Sequence, residues 1–320
     1  MSVWCLPIPT PWAVGPVNVY LVEDDPLTLI DTGQADAAAI DALERGFEAH
    51  GRRIEDVGRV VLTHQHVDHW GLARAIVDRS RAELCALAGF DGWLARYPES
   101  LIEEGAFADD LMRRHGGGGS SDAAGYRADL RYGAAAFVDR VLEDGDVLEF
   151  ADRRLRVLHR PGHSPSDTVL HDEERGVLFG ADHVLARPAT AILSPPLDGA
   201  TRPARRPRAL EDYRSSLRAT RALELDVILA GHGDPVRDHR AVIDERLRRY
   251  DRITAKVAGA VTPEPRTAVE IARAVRGDLD GSAVFFALCD VLGHLDELVD
   301  RGGVVERQDD DGLSRFAAAA

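Results

Sequence analysis

The chain has 320 residues, 45% hydrophobic and 29% charged, with a formal net charge of −15. That is ordinary globular composition, long enough for one large domain or a large plus a small one, with a core that needs no staples. A surface this acidic repels nucleic acid and anionic membrane unless a local basic patch intervenes.

At the start, Met1 to Pro7 shows no basic region followed by a long apolar stretch, and no run of eighteen apolar residues occurs anywhere. A signal peptide and a membrane span are therefore not expected. Cys5, Cys85 and Cys289 are scattered, and fit neither a disulfide framework nor a paired-cysteine zinc site. They read as reduced thiols buried as small hydrophobes in a cytoplasmic protein.

Val17 to Val22 and Leu27 to Ile30, joined by Asp24-Asp25-Pro26, read as a β-hairpin ending in Asp31-Thr32-Gly33. A helix from about Ala35 to Ala49 follows, with Ile40, Leu43 and Phe47 on one face. The apolar run Val60-Val61-Leu62 then reads as the end of a buried strand. It leads into Thr63-His64-Gln65-His66-Val67-Asp68-His69, and Trp70 to Val77 reads as the start of an amphipathic helix. His64 and His66, two apart on extended backbone, point the same way and can reach one metal, while Asp68 and His69 follow the turn and aim at a neighbouring point. Imidazole and carboxylate are ligands that zinc and similar divalent metals accept.

Ala82 to Ala86 reads as a short strand. Residues 89 to 140 read as helical, broken by Gly116 to Gly119 with Ser120 and Ser121, an insertion that can serve as a lid or as a surface excursion. Strands return at Asp146 to Phe150, Leu155 to His159, Thr168 to His171 and Gly176 to Gly180. A helix from about Ala209 to Leu223, a last strand at Asp226 to Ala230 and a charged helix from about Arg240 to Val257 complete the larger domain, 1–258. Strands in two groups, each followed by helices, predict an α/β fold with two sheets sandwiched between helical layers. Beyond the proline linker Thr262 to Pro265, helices over Thr267 to Val275 and Ala283 to Val299 precede a hairpin, Val304 to Arg307 and Leu313 to Phe316. That order predicts a small winged-helix-like domain over 259–320.

Four loops after apolar strands present ligand side chains: that of His64, His66, Asp68 and His69, then His163 in Pro161-Gly162-His163, Asp182, and His232 in Gly231-His232-Gly233. Seven groups exceed one tetrahedral ion. They suit two ions bridged by a carboxylate and a water, about 3.5–4 Å apart. Glycines at 162, 180, 231 and 233 fit tight turns and close backbone approach.

With these motifs in order, the chain resembles the metallo-β-lactamase superfamily from about residue 15 to 257, the signature His-x-His-x-Asp-His standing as His64, His66, Asp68 and His69. The resemblance implies an αββα sandwich. It implies that His64, His66 and His163 hold one metal, that Asp68, His69 and His232 hold a second, and that Asp182 bridges. The two divalent ions are expected to be zinc in preference to iron or manganese. The C-terminal segment resembles the winged helix of one hydrolase branch, which includes an RNA endonuclease and is similar to glyoxalase-II-type thioesterases in its metal motifs.

The expected chemistry is attack by a metal-activated hydroxide, with Asp68 orienting it and shuttling its proton. An ester or thioester of acyl-coenzyme A or carrier-protein type is the leading substrate. Arg202, Arg205, Arg206 and Arg208 form a basic cluster downstream of Asp182 that can grip phosphate. RNA cleavage is the alternative, but residues 259 to 320 carry twelve acidic and six basic side chains, with Asp290, Asp296, Glu297 and Asp300 on the candidate recognition helix. That segment reads instead as a packing or dimerisation element, so a homodimer is a possible assembly. A lactonase is a third reading, opposed by Leu185 where such enzymes carry tyrosine. A non-hydrolytic or redox member is a fourth, opposed by His66 where diiron relatives carry glutamate. His183 is a candidate for the layer behind the ligands, and Tyr213 and Trp70 for the pocket lining. His50, His115, His159, His171, His239 and His294 read as surface or capping residues.

Overall fold

A computed structural model describes residues 2–118, 122–187, 193–197 and 206–319. The first sheet takes its strands in chain order: β1 (Val3–Ile8), β2 (Val17–Val22), β3 (Thr28–Ile30), β4 (Arg59–Val61), β5 (Glu83–Leu87) and β6 (Arg140–Leu142). The first three pair antiparallel, and β3 to β6 pair parallel. Parallel neighbours need crossovers, which here are helical. Helix α1 (Ala37–Ala49) joins β3 to β4. Helices α2 (Val67–Trp70) and α3 (Ala73–Ser80) join β4 to β5, and α4 (Phe90–Ala95), α5 (Glu99–Arg114) and α6 (Asp122–Asp129) lie between β5 and β6.

The second sheet holds β7 (Val147–Glu149), β8 (Arg154–His159), β9 (Thr168–Asp172), β10 (Val177–Ala181) and β11 (Val227–Ala230). The first four of these pair antiparallel, and β10 pairs parallel with β11. Helices α7 (Ala209–Arg221) and α8 (His239–Ala260) flank β11 in sequence.

Strand alternation explains the layering. In β2, Val17, Val19 and Leu21 pack with Leu43 and Phe47 of α1, while Tyr20 and Val22 point the other way, onto Leu155, Val157, Leu170 and Phe179 of the second sheet. In the second sheet Val169, Leu178 and Ile228 turn outward onto Tyr213 and Leu217 of α7 and Ile243 of α8. Both faces of each sheet are thus buried, and the four layers are the αββα sandwich expected.

The C-terminal segment adds β12 (Arg266–Thr267), α9 (Ala268–Arg276), α10 (Ser282–Asp300), β13 (Val304–Gln308) and β14 (Ser314–Ala318), with β14 central in a three-stranded sheet. Helix α9 opens with a capping box between Thr267 and Glu270. Its core joins Phe285, Leu288 and Leu292 of α10 to Phe107 and Leu111 of α5.

Several expectations change. Val3–Ile8 and Arg140–Leu142 are strands that the sequence reading missed. Asp68 and His69 lie inside the short α2 rather than on open turn. Cys85 and Cys289 are buried as expected, but Cys5 is exposed. His171 and His294 are buried and cap nothing; His294 Nδ1 lies 2.8 Å from the hydroxyl of Thr254. His115 and His239 are buried too, although His115 does close α5 and His50 closes α1. The glycine run lies outside the described residues at 119–121. Among the described residues no helix is long and apolar enough to cross a membrane.

Candidate metal centre

The predicted ligands leave four separate strand ends and meet. His64 and His66 follow β4, Asp68 and His69 lie in the first turn of α2, His163 stands between β8 and β9, Asp182 follows β10 and His232 follows β11. His66 Nδ1 is 3.0 Å from His64 Nε2 and 2.9 Å from His163 Nε2. His232 Nε2 is 3.2 Å from Asp68 Oδ2. Asp182 reaches both groups: its Oδ2 is 3.5 Å from His163 Nε2 and 3.6 Å from His232 Nε2, and its Oδ1 is 3.6 Å from His69 Nε2. Three sets of ligand atoms each lie within 4.8 Å of one another: His64, His66 and His163; His64, His69 and Asp182; Asp68, His69 and His232.

Backbone geometry makes the convergence possible. Asn18 N donates to Gly231 O at 2.7 Å, and the Asn18 side chain donates to the carbonyls of Ala230 and Gly233, so β2 clamps the His232 loop. A Cβ on Gly231 would collide with Asp182 Oδ1, so only glycine lets this backbone pass the carboxylate. A Cβ on Gly162, where φ is +145°, would run into Tyr213.

A second layer aims the imidazoles. Asp31, held at φ 61°, accepts from His69 Nδ1 at 2.7 Å, from Thr63 Oγ1 at 2.8 Å and from Thr63 N at 2.9 Å. His232 Nδ1 donates to Pro16 O at 2.8 Å. Gln65, between two ligands, bonds Ser166 through its side chain and its backbone N–H. The sequence reading missed Asp31. Its only local signal is an acid placed directly after an apolar strand.

Electrostatics follow from burial and crowding. Burial, then neighbouring imidazoles, hold His64 well below its usual value, and burial takes His66 down to about 4. Burial would lower His69 as well, but Asp68, Asp31 and Asp182 outweigh it and hold it up at about 10. Burial works to raise Asp68, yet His69 and His232 keep it below the ordinary carboxylate range; Asp182 is raised by burial. The cage therefore favours positive charge among its carboxylates. His69 Nε2 and Asp182 Oδ1 are buried without a hydrogen-bond partner, and a coordinated cation satisfies such atoms. Imidazoles and carboxylates without thiolate suit zinc, iron or manganese. The residues fit a pair of divalent cations.

A cavity of about 460 Å³ opens over the cluster, bordered by His66, Asp68, His163, Asp182 and His232, and also by Glu104, Leu101 and Phe286. A second cavity, of about 290 Å³, lies between α7 and α10 among paired charges such as Arg208 and Asp300, and no candidate ligand lines it.

The expected substrate contacts fare less well. Tyr213 is fully buried behind the His163 turn, donates to His183 O at 2.6 Å, and lines no part of the cavity. His183 is buried with Nε2 2.8 Å from Thr220 Oγ1 and does not face the cavity either. Trp70 lies in the core with Nε1 donating to Gln65 O. Arg206 pairs with Asp296 and Glu306, and Arg208 with Asp296 and Asp300. These partners turn both guanidiniums onto the C-terminal segment and away from a phosphate-binding role. Arg202 and Arg205 lie outside the described residues.

Known proteins share this fold. The metallo-beta-lactamase superfamily profile matches residues 12–232, and that of the metallo-beta-lactamase-like C-terminal domain matches 254–319. The chain is 29% identical over 300 residues to the probable metallo-hydrolase YqjP of Bacillus subtilis (strain 168), covering 91% of this chain and 90% of that one. It is 32% identical over 179 residues to the acyl-coenzyme A thioesterase MBLAC2 of Homo sapiens, covering 52% of this chain and 58% of that one. A solved metallo-beta-lactamase family protein from Thermus thermophilus superposes with TM-score 0.81 at 27% identity, over 99% of this chain and 98% of that one. The chain belongs to the metallo-beta-lactamase superfamily.

Proposed function

We propose that the chain is a metal-dependent hydrolase of acyl esters or thioesters, of the acyl-coenzyme A or carrier-protein type, with Asp68 as its proton acceptor. The observation that carries this reading is the meeting of seven imidazole and carboxylate side chains from four strand ends, five of which line one cavity. His64, His66 and His163 would hold one cation, Asp68, His69 and His232 the other, and Asp182 would serve both. Two divalent ions, zinc in preference to iron or manganese, supply when bound an acidified water and positive charge for a developing oxyanion.

The chain's own residues do the rest. Asp68, kept ionised by His69 and His232, has an oxygen available to take the proton of the attacking water. Asp31 keeps His69 in one tautomer, and the carbonyl of Pro16 does the same for His232. Trp12, Val67 and Leu101 border the cavity and keep bulk water from part of its wall.

The acyl thioester is favoured by the partial match to a coenzyme A thioesterase. An RNA backbone would meet carboxylates in the cavity and on α10. We also divide the chain into a catalytic unit, 1–258, and an appended unit, 259–320, a division that falls in the last turn of α8. Metal-loaded protein assayed on acyl-coenzyme A thioesters, simple esters, lactones and a short RNA tests the reading. Thioester turnover is expected, abolished by exhaustive chelation and reduced at least a hundredfold in Asp68→Asn. Activity that survives both treatments would remove the metal-hydrolase reading, and preferential cleavage of the RNA would replace the substrate.

A further inference from the structure

We propose that the cavity above the candidate metal centre is an acyl-chain pocket whose outer wall is Phe286 of α10, so that the C-terminal segment sets which chain lengths are hydrolysed. This rests on the ester or thioester reading and deepens it.

Three remote parts of the chain build the wall. Trp12 and Val14 come from the segment between β1 and β2, Leu101 from α5 and Phe286 from α10. Val14 is 51% exposed and Phe286 44%, and Ile102 beside Leu101 is also exposed. Scattered apolar exposure is normal, but here two such side chains border one cavity on a chain of net charge −15. The cavity's polar groups gather at the candidate ligands and at Glu104, Gln65 and Asp129. A cleft with reactive groups on its floor and apolar walls fits a ligand with a polar reacting end and an apolar body. An acyl group has that form. A polyanion does not, because the charged side chains lining the cavity include neither Lys nor Arg among the described residues.

Phe286 is held where it stands. Its neighbour Phe285 is buried in the cluster that joins α10 to Phe107 and Leu111 of α5. Further along the helix, Asp296 is pinned by Arg206 and Arg208. One face of α10 is thus anchored to the catalytic layers while Phe286 projects from another to the cavity. The C-terminal segment, read from sequence as a packing element, then completes the substrate site.

Binding and turnover are measured separately. Binding of straight-chain alkanoates of two to twelve carbons to the metal-loaded protein is followed by calorimetry, and kcat/KM is measured for the matching acyl-coenzyme A thioesters. Affinity is expected to rise about two- to fourfold per methylene until the cavity is filled. Phe286→Ala should lower it by a factor that grows with chain length and reaches about tenfold at the longest. Phe286→Asp should lower it further, and Phe286→Leu should restore most of it. Circular dichroism and thermal melts establish that the variants fold, as the exposure of Phe286 leads one to expect. A flat length dependence in the unmodified protein, or one that Phe286→Ala and Phe286→Asp leave unchanged, overturns the pocket. If no thioester is hydrolysed yet alkanoate binding keeps its length dependence and its response to Phe286, the pocket stands and the thioester reading falls.

Discussion

Asp31 Oδ2 lies 2.7 Å from His69 Nδ1, and both side chains are buried. A carboxylate only accepts, so Nδ1 carries a proton and Nε2 is the atom left to face Asp68 and Asp182. The same carboxylate holds Thr63, the residue before His64. Asp31 thereby fixes candidate ligands on both sides of the cage without being one itself. Asp31→Ala should lower metal affinity 10- to 100-fold, with kcat falling in step. Competition with a chromophoric chelator measures the affinity, and an unchanged affinity would make Asp31 a structural residue only.

Cation binding should stabilise the chain, because His69 Nε2 and Asp182 Oδ1 are buried without partners. At a free metal concentration a hundredfold above the dissociation constant, linkage adds about 2.7 kcal/mol, a rise in Tm of about 4 °C for a chain of this size. Asp182 lies against candidate ligands of both groups. Asp182→Asn should therefore lower the stoichiometry from two metals per chain to one or none. Elemental analysis after gel filtration, with calorimetry on apo and loaded protein, decides both points.

What was legible in the sequence had short-range signals. His64, His66, Asp68 and His69 fall within six residues after an apolar strand, so four side chains able to ligate a cation stood out together. The strands of the sandwich were legible as apolar runs because both faces of each sheet are buried. Strand β1 was not. It lies at the sheet edge, contains Pro7, and buries only Leu6 and Ile8. Asp31 gave little sign because His69 is 38 residues on, and the partners of Arg206 lie 90 and 100 residues away. Tyr213, His183 and Arg206 have side chains able to contact a substrate, and only tertiary packing turns them elsewhere.

Glu104 is buried at the cavity wall beside the Gln65 and Ser194 side chains, and burial raises its carboxyl to about 7. The sign of its effect on stability follows from linkage. Below the ordinary value of 4.5 the carboxyl is protonated in both folded and unfolded chains. Between 4.5 and about 7 only the unfolded chain ionises, so stability falls as pH rises through that window and levels off above it. The full loss is on the order of 3 kcal/mol. Glu104→Gln keeps the shape and removes the titration. At saturating metal, the wild-type stability minus that of Glu104→Gln should fall between pH 4.5 and about 7, and a flat difference would mean that Glu104 ionises freely.

Arg206 joins the two parts of the molecule. It follows β10 and precedes α7, and its guanidinium pairs with Asp296 of α10 and Glu306 of β13 with only 13% of the side chain exposed. Burial works against its charge, but Asp296 and Glu306 outweigh burial and raise its pKa. Removing one partner of a buried pair costs about 3–5 kcal/mol when the other is left alone, and here Arg208 stays 3.2 Å from Asp296, which places the cost at the lower end. Arg206→Ala should lose stability of that order in urea titrations. Asp296→Asn in the same background should recover part of it, because the stranded carboxylate is gone. A double-mutant cycle on Arg206 and Asp296 measures the coupling, expected at about 1–3 kcal/mol. A coupling near zero would mean that hydrophobic packing between α5 and α10 alone holds the C-terminal segment in place.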